Sequence, residues 1–255
     1  MGDTAQGAPI TVARDLTAGD LAAALAAGWR DFLACPAFGI FFAGIYVAGG
    51  LLLYFALYRH GQVVWLVPAA GGFPIIAPFV AVGLYEVSRR REAGLARSWG
   101  AVLGAVRGRG DDQVLMLGGF LFVGVTFWII IAHGIFAVFL AESGIGTESL
   151  ALFATPTGMA MLAVGGAVGA AIAALFYAVT VISLPLLIDR EVDFLTAMMV
   201  SLAAVRANPV VMLGWGALIA AVLALAMVPL FLGLFVALPV LGHATWHLYR
   251  RAVAR

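Results

Sequence analysis

The sequence predicts an all-α fold: a polytopic transmembrane bundle of six helices, arranged as three repeats of an interfacial amphipathic helix followed by a transmembrane hairpin. Three observations carry that expectation. Of 255 residues, 64% are hydrophobic and 11% charged, with a mean hydropathy of +1.08, far outside the composition of soluble domains. Apolar runs of about 20 residues, the length that crosses a hydrocarbon core of roughly 30 Å, recur along the chain. Related stretches also return at matching spacing, which is how a repeat architecture shows itself in sequence.

Taken in order, residues 1–15 read as a disordered N-terminal tail and 16–255 as a single transmembrane domain. "LAAALAA" at 21–27 does not read as a cleaved leader, because Asp15 and Asp20 precede it and Trp29, Arg30 and Asp31 interrupt it. Leu21, Leu25, Trp29 and Phe32 instead form a helical stripe, and Thr17 with Asp20 has the spacing of a capping box. Spans are expected at about 36–58, 62–88, 113–140, 157–188, 209–228 and 229–248. Pro68, Pro74 and Pro78 remove backbone donors from the second, so a kink and an irregular upper part are expected there. Met227, Val228 and Pro229 leave so short a join that the last two spans should form a tight antiparallel hairpin.

The repeat is carried by "DLAAALAAGWRDFLACP" at 20–36 and "DFLTAMMVSLAAVRANP" at 193–209, each running from Asp to Pro with the same spacing. "SWGAVLGAVRGRGDD" at 98–112 shares the Ala-Val-Arg step, at Arg107 and Arg206, so units of about 16–92, 93–192 and 193–251 are expected. Pro78 and Pro239 each precede an arginine by eleven residues, which aligns Tyr85 with Trp246, Glu86 with His247 and Arg90 with Arg251. Trp99, Val102 and Val106, and Phe194, Met198, Leu202 and Val205, give the other two stripes, with Ser98 and Asp193 as N-caps.

Charge sets the expected orientation. All the cations are arginines, and with six spans every one except Arg59 falls on the side of both termini. The opposite side holds Arg59, His60 and the 141–156 loop with Glu142 and Glu148. The positive-inside rule then places both termini in the cytoplasm. The single Cys35 excludes an intramolecular disulfide and any cysteine cluster within one chain.

"AGWRDFLACPAFGIFF", "APFVAVGLYEVSRR" and "SLPLLIDREVDFLTAMMVSLAAVRANPVVMLGWGALI" together resemble a family of bacterial integral membrane proteins classed as a domain of unknown function. The likeness extends from about residue 16 to 251 and implies a six-span inner-membrane protein with no established activity.

Polar residues within such a chain are the functional suspects. Glu86 stands one turn before Arg89 and Arg90, so with Tyr85 it reads either as an interfacial ion pair or as a proton or cation site at a cavity mouth. Asp189 and Arg190 close the fourth span, where a stop signal and a cap for the next helix is the simplest reading. His243 and His247 share a helix face at i, i+4 and are weak metal or haem candidates, because two histidines leave a ligand set incomplete. His133 lies deeper, without a partner in sequence, and reads as an imidazole hydrogen-bonded within the bundle. Gly39 with Ala43, Gly165 with Gly169 and Gly216 with Ala220 have small-xxx-small spacing and read as helix-packing surfaces.

With no nucleophile-base set, metal cage or nucleotide motif, the sequence points to a non-catalytic accessory, scaffold or assembly component without a cofactor. Its expected partners are membrane lipids and other integral membrane subunits, not nucleic acid. A small transporter, channel or lipid-handling protein with a polar site near Glu86 is the alternative, and a haem or metal protein using His243 and His247 is a third.

Overall fold

The computed structural model describes residues 10–62, 65–105, 112–140 and 153–253, with the side chains of 70–80 and 140 not described. Ten helices are described: α1 (Ala18–Ala34), α2 (Pro36–Arg59), α3 (Leu66–Glu92), α4 (Trp99–Gly104), α5 (Gln113–Leu140), α6 (Pro156–Thr180), α7 (Ser183–Asp189), α8 (Phe194–Ala207), α9 (Pro209–Met227) and α10 (Leu234–Ala252). Among the described residues β-pairing is confined to one isolated bridge, Val12 with Val253.

Among the described residues four segments are long and apolar enough to cross a membrane: Pro36–Arg59, Gln113–Phe139, Pro156–Asp189, which takes in both α6 and α7, and Pro209–Met227. Large apolar side chains such as Leu52, Phe122, Ile130 and Leu225 are exposed on them, as expected where the solvent is hydrocarbon and burial between helices brings no hydrophobic gain. α10 is not among the four. It begins at Leu234, after turns through 228–233, and its last turns carry His247, Arg250 and Arg251. Those polar residues are matched by partners inside the protein, so α10 is an interior helix with Trp246, Leu248 and Tyr249 almost wholly buried.

Two junctions share one geometry. Cys35, between α1 and α2, has φ −140° and ψ 52°, and Asn208, between α8 and α9, has φ −137° and ψ 58°. Each is followed by proline at the first helical position, where the missing N–H would have no partner anyway. Thr17 and Asp20 do close a capping box on α1, with Thr17 N–H donating to Asp20 Oδ2 at 2.8 Å.

Several expectations are corrected. The 157–188 run is not one uninterrupted helix: it turns at Val181 and Ile182 between α6 and α7. Pro185 explains the break, since it cannot donate to the Val181 carbonyl four residues back. Ser201 of α8 repairs it, accepting from Ile182 N–H at 3.1 Å and donating to the Ala178 carbonyl at 2.8 Å. The 62–88 run shows the opposite departure, because α3 is continuous past its prolines; Pro68 lies in its first turn, where a donor is dispensable. Within the 98–112 stretch the described helix is Trp99–Gly104, capped by Ser98; 106–111 lie outside the described residues, as do 141–152 of the expected outer loop.

The last residues of the 1–15 stretch are paired within the fold. Ala13 N–H donates to the Ala252 carbonyl at 2.9 Å, and Asn208 holds Leu16 N–H and the Ala13 carbonyl at 3.1 and 2.7 Å. Residues 12–16 are therefore fastened to the C-terminal end of α10 and to the α8–α9 junction. On α1 the buried face is Ala24, Gly28, Asp31 and Phe32, whereas Trp29 is exposed. The small residues, not the large stripe, let α1 lie close against α10.

Candidate functional site

The ends of α1, α3, α7 and α10 meet at one end of the bundle and bring a set of ionisable side chains together. On α3, Ser88 and Arg91 are three residues apart and share the face turned to α1. On α10, His243 and His247 are four apart and share the face turned to the same point. Asp31 of α1 stands between them and is almost completely buried.

Asp31 is saturated. Its Oδ1 takes Arg91 Nη1, while its Oδ2 takes the Ser88 hydroxyl at 2.6 Å and His247 Nε2 at 2.9 Å. Ser88 Oγ also lies 2.8 Å from His243 Nδ1. A hydroxyl has one hydrogen; given to Asp31, it obliges His243 to be the donor to Ser88 through Nδ1. His243 Nε2 is then left as a fully buried nitrogen with no hydrogen-bond partner among the described residues. Burial alone would push the Asp31 carboxyl up, but the His247 and Ser88 hydrogen bonds and the charge of the nearby imidazoles bring it down from 3.8 to about 2.

Three more carboxylates, Glu86, Asp189 and Glu92, complete this end. Glu86 is held by Arg89, Nε to Oε2 and Nη2 to Oε1 at 2.7 Å each, and by Arg90 Nη1 at 3.2 Å. Asp189 accepts from Tyr249 Oη and from Arg250 Nη1, both at 2.8 Å, and Arg250 reaches on to Glu92 at 3.2 Å. Trp246 Nε1 donates to Glu92 Oε2, and the Arg250 guanidinium stands 5.9 Å from the Trp246 ring centre. Arg190 closes α7 through its backbone N–H, which donates to the Leu186 carbonyl at 2.8 Å.

Residues 66–189 match the family model for predicted integral membrane proteins, DUF2189. The matched segment runs from α3 through α7, just under half of the chain, and is narrower than the 16–251 likeness read from sequence. The matched segment supplies Glu86, Ser88, Arg89, Arg91 and Asp189, whereas Asp31, His243, His247 and Arg250 come from helices on either side of it in sequence. The chain is an integral membrane protein with several apolar helices. Neither the curated proteins nor the solved structures contain a match to it.

The other sequence-selected residues lie apart from this cluster. His133 is on α5, its Nδ1 donating to the Ile129 carbonyl at 2.9 Å and its ring stacked on Trp65 at 4.2 Å. Tyr85 is buried beside Ala81 and opposite Tyr177. Gly39 meets Pro239 and Phe32, Gly169 receives the Trp128 ring, and Gly216 faces the Tyr177 ring. At Gly165 the nearest group to a built Cβ is Ile135 at 3.9 Å, an ordinary contact. Ala43 is buried, but Ala220 is exposed on a cavity wall.

The histidine pair does not assemble a metal set: among the described residues no group of three or more His, Cys, Asp or Glu is placed to hold an ion. His243 is wholly buried, and the two rings are engaged with Ser88 and Asp31. Sequence reasoning missed Asp31, Ser88 and Arg91 as members of one site. Asp31 was visible as a carboxylate in register with Ala24 and Gly28, the small face that packs.

Proposed function

We propose that the protein is a non-catalytic component of a bacterial inner-membrane assembly, a scaffold or accessory subunit of six spans in three helix-hairpin units with both termini cytoplasmic. The observation that carries this reading is the state of the three carboxylates Asp31, Glu86 and Asp189. Each is neutralised by arginine or histidine from this same chain, Glu86 within α3 and Asp31 and Asp189 between helix ends. An acid that served chemistry would be offered to a cleft with a base or nucleophile facing it. The same conformation at Cys35 and Asn208 supports the repeat, because the junction between interfacial helix and span is built alike in the first and third units.

Extraction in mild detergent followed by native electrophoresis tests the reading. We expect the protein in a species larger than one chain with other integral membrane proteins present; a strictly monomeric species with nothing co-purifying overturns it.

A second reading, a small proton-coupled transporter, is favoured by the hydrogen-bonded series His247, Asp31, Ser88 and His243, which links a partly exposed imidazole to a wholly buried one. Proteoliposomes carrying an internal pH dye test it. Proton entry that is lost in Asp31→Asn supports a transporter, and equal leakage with and without protein removes it.

A further inference from the structure

α3, α6, α9 and α10 enclose a cavity of about 340 Å³ among the described residues, within the size range of sites that bind small molecules. Its inner wall is buried and includes Tyr85 of α3 and Leu241 and Thr245 of α10. Its outer walls carry exposed small residues, Ala170 and Ala174 on α6 and Ala217 and Ala220 on α9. α6 and α9 both belong to candidate membrane spans, so the cavity opens between them toward hydrocarbon.

The cavity is a slot rather than a sphere. Along α9 it runs from Leu213 to Leu223 and along α6 from Thr180 back to Ala170, each about 15 Å at 1.5 Å per residue. That is half of a hydrocarbon core of roughly 30 Å, the depth of one leaflet. The polar end is at Tyr85, Thr180 and Thr245, beside Glu86 and its two arginines; the other end, at Ala170, Leu223 and Leu238, is wholly apolar.

Tyr85 supplies the second observation. It is 3% exposed and lines the slot, yet its hydroxyl makes no hydrogen bond with any described residue. The neighbouring polar groups do: Tyr177 Oη donates to the Met212 carbonyl at 2.6 Å, and Thr245 Oγ1 donates to the Leu241 carbonyl at 2.8 Å. The Tyr85 side chain is buried, but its oxygen is not among the fully enclosed atoms left without a partner; the hydroxyl opens into the slot, at the depth where charged side chains begin, and is free to donate to an acceptor lodged there.

We propose that the slot binds one acyl chain of a membrane glycerolipid, with the ester carbonyl accepting the Tyr85 hydroxyl hydrogen and the chain lying between α6 and α9. An ester carbonyl lies at the polar boundary of the hydrocarbon, where Tyr85 stands, and an acyl chain has the length and apolar character of the rest. The site goes beyond the proposed scaffold role and does not depend on it, since a monomer would hold the lipid equally well.

The test is quantitative lipid mass spectrometry on protein purified in mild detergent and washed extensively. Wild type should retain glycerolipid at about one molecule per chain. Tyr85→Phe should keep the elution profile and melting temperature while retention falls about fivefold, the worth of one hydrogen bond. Ala174→Phe and Ala217→Phe, which fill the exposed mouth without touching Tyr85, should each abolish retention. Glycerolipid held equally by wild type and both mouth variants overturns the proposal, as does a slot that carries an isoprenoid quinone or only detergent. Should Tyr85→Phe fail to fold, the two mouth variants decide.

Discussion

The Ser88 hydroxyl lies 2.6 Å from Asp31 Oδ2 across 57 residues of sequence, and both groups are almost completely buried. Arg91, one turn beyond Ser88, closes on the other oxygen of the same carboxylate. Asp31→Asn keeps the shape but replaces an acceptor of three donors with a neutral amide that presents an N–H₂ to one of them. Hydrogen bonds to charged groups are worth about 1.5–3 kcal/mol each, and the Arg91 side chain is 38% exposed, so its share is discounted. We expect a loss of about 2–3 kcal/mol, read as a lower melting temperature in detergent by tryptophan fluorescence. Asp15→Asn removes a carboxylate that is 78% exposed and should shift the same transition little.

The depressed Asp31 carboxyl, at about 2 against 3.8, fixes a pH window. A carboxylate whose folded value lies below its unfolded value adds stability above the unfolded value and loses it as pH falls through the folded one. The melting temperature of the wild type should therefore decline between about pH 4 and pH 2. Asp15, Asp20 and Asp193 are also lowered and contribute to the same decline. The difference between wild type and Asp31→Asn isolates Asp31: the gap should be full at pH 5 and narrow toward pH 2. A gap that is constant with pH would show that the Asp31 charge does not stabilise the fold.

The apolar runs were legible because composition and span length act locally, and α2, α5 and α9 follow them within a few residues. The Asp31 cluster was not, because His247 is 216 residues from Asp31 and nothing in either neighbourhood names the other. Glu86 drew attention because its arginines are three and four residues away, where sequence spacing is itself geometry. Its ion pair is local for the same reason and joins no two helices, whereas Asp31 joins α1, α3 and α10. The α6–α7 turn illustrates a third case: Pro185 was plain in the sequence, but the Ser201 hydroxyl that makes the break tolerable comes from α8.

Gly28 governs how closely α1 approaches α10. A Cβ there would fall 2.5 Å from Ala244 N and 2.6 Å from the Val240 carbonyl oxygen, both backbone atoms that cannot swing aside. Gly28→Ala should force the helices apart, withdraw Asp31 from His247 and cost about 1–3 kcal/mol, visible as earlier loss of the monodisperse peak in heated size-exclusion chromatography. Gly19→Ala, nine residues earlier, meets only Thr17 Oγ1 at 3.4 Å and gains helix propensity. It should be neutral or slightly stabilising, so equal damage from the two changes would mean that close packing at Gly28 is not the cause.

Asn208 does for the N-terminal segment what Asp31 does for the helix ends. Its Oδ1 accepts from Leu16 N–H at 3.1 Å, and its Nδ2 donates to the Ala13 carbonyl at 2.7 Å. Asn208→Ala removes both while leaving Pro209 to start α9, so the span should stay in place and the segment before α1 should loosen. Two hydrogen bonds at about 1 kcal/mol each predict faster hydrogen exchange at Leu16 by about 30-fold. Cleavage by trypsin at Arg14 should accelerate with it, since the segment is then held without the Asn208 side chain, by the Ala13–Ala252 hydrogen bond, the Arg251 contacts to Asp15 and Asp20 and the packing of Leu16. Unchanged protection at Leu16 would mean that this pairing with the end of α10, and not Asn208, fastens the N-terminus.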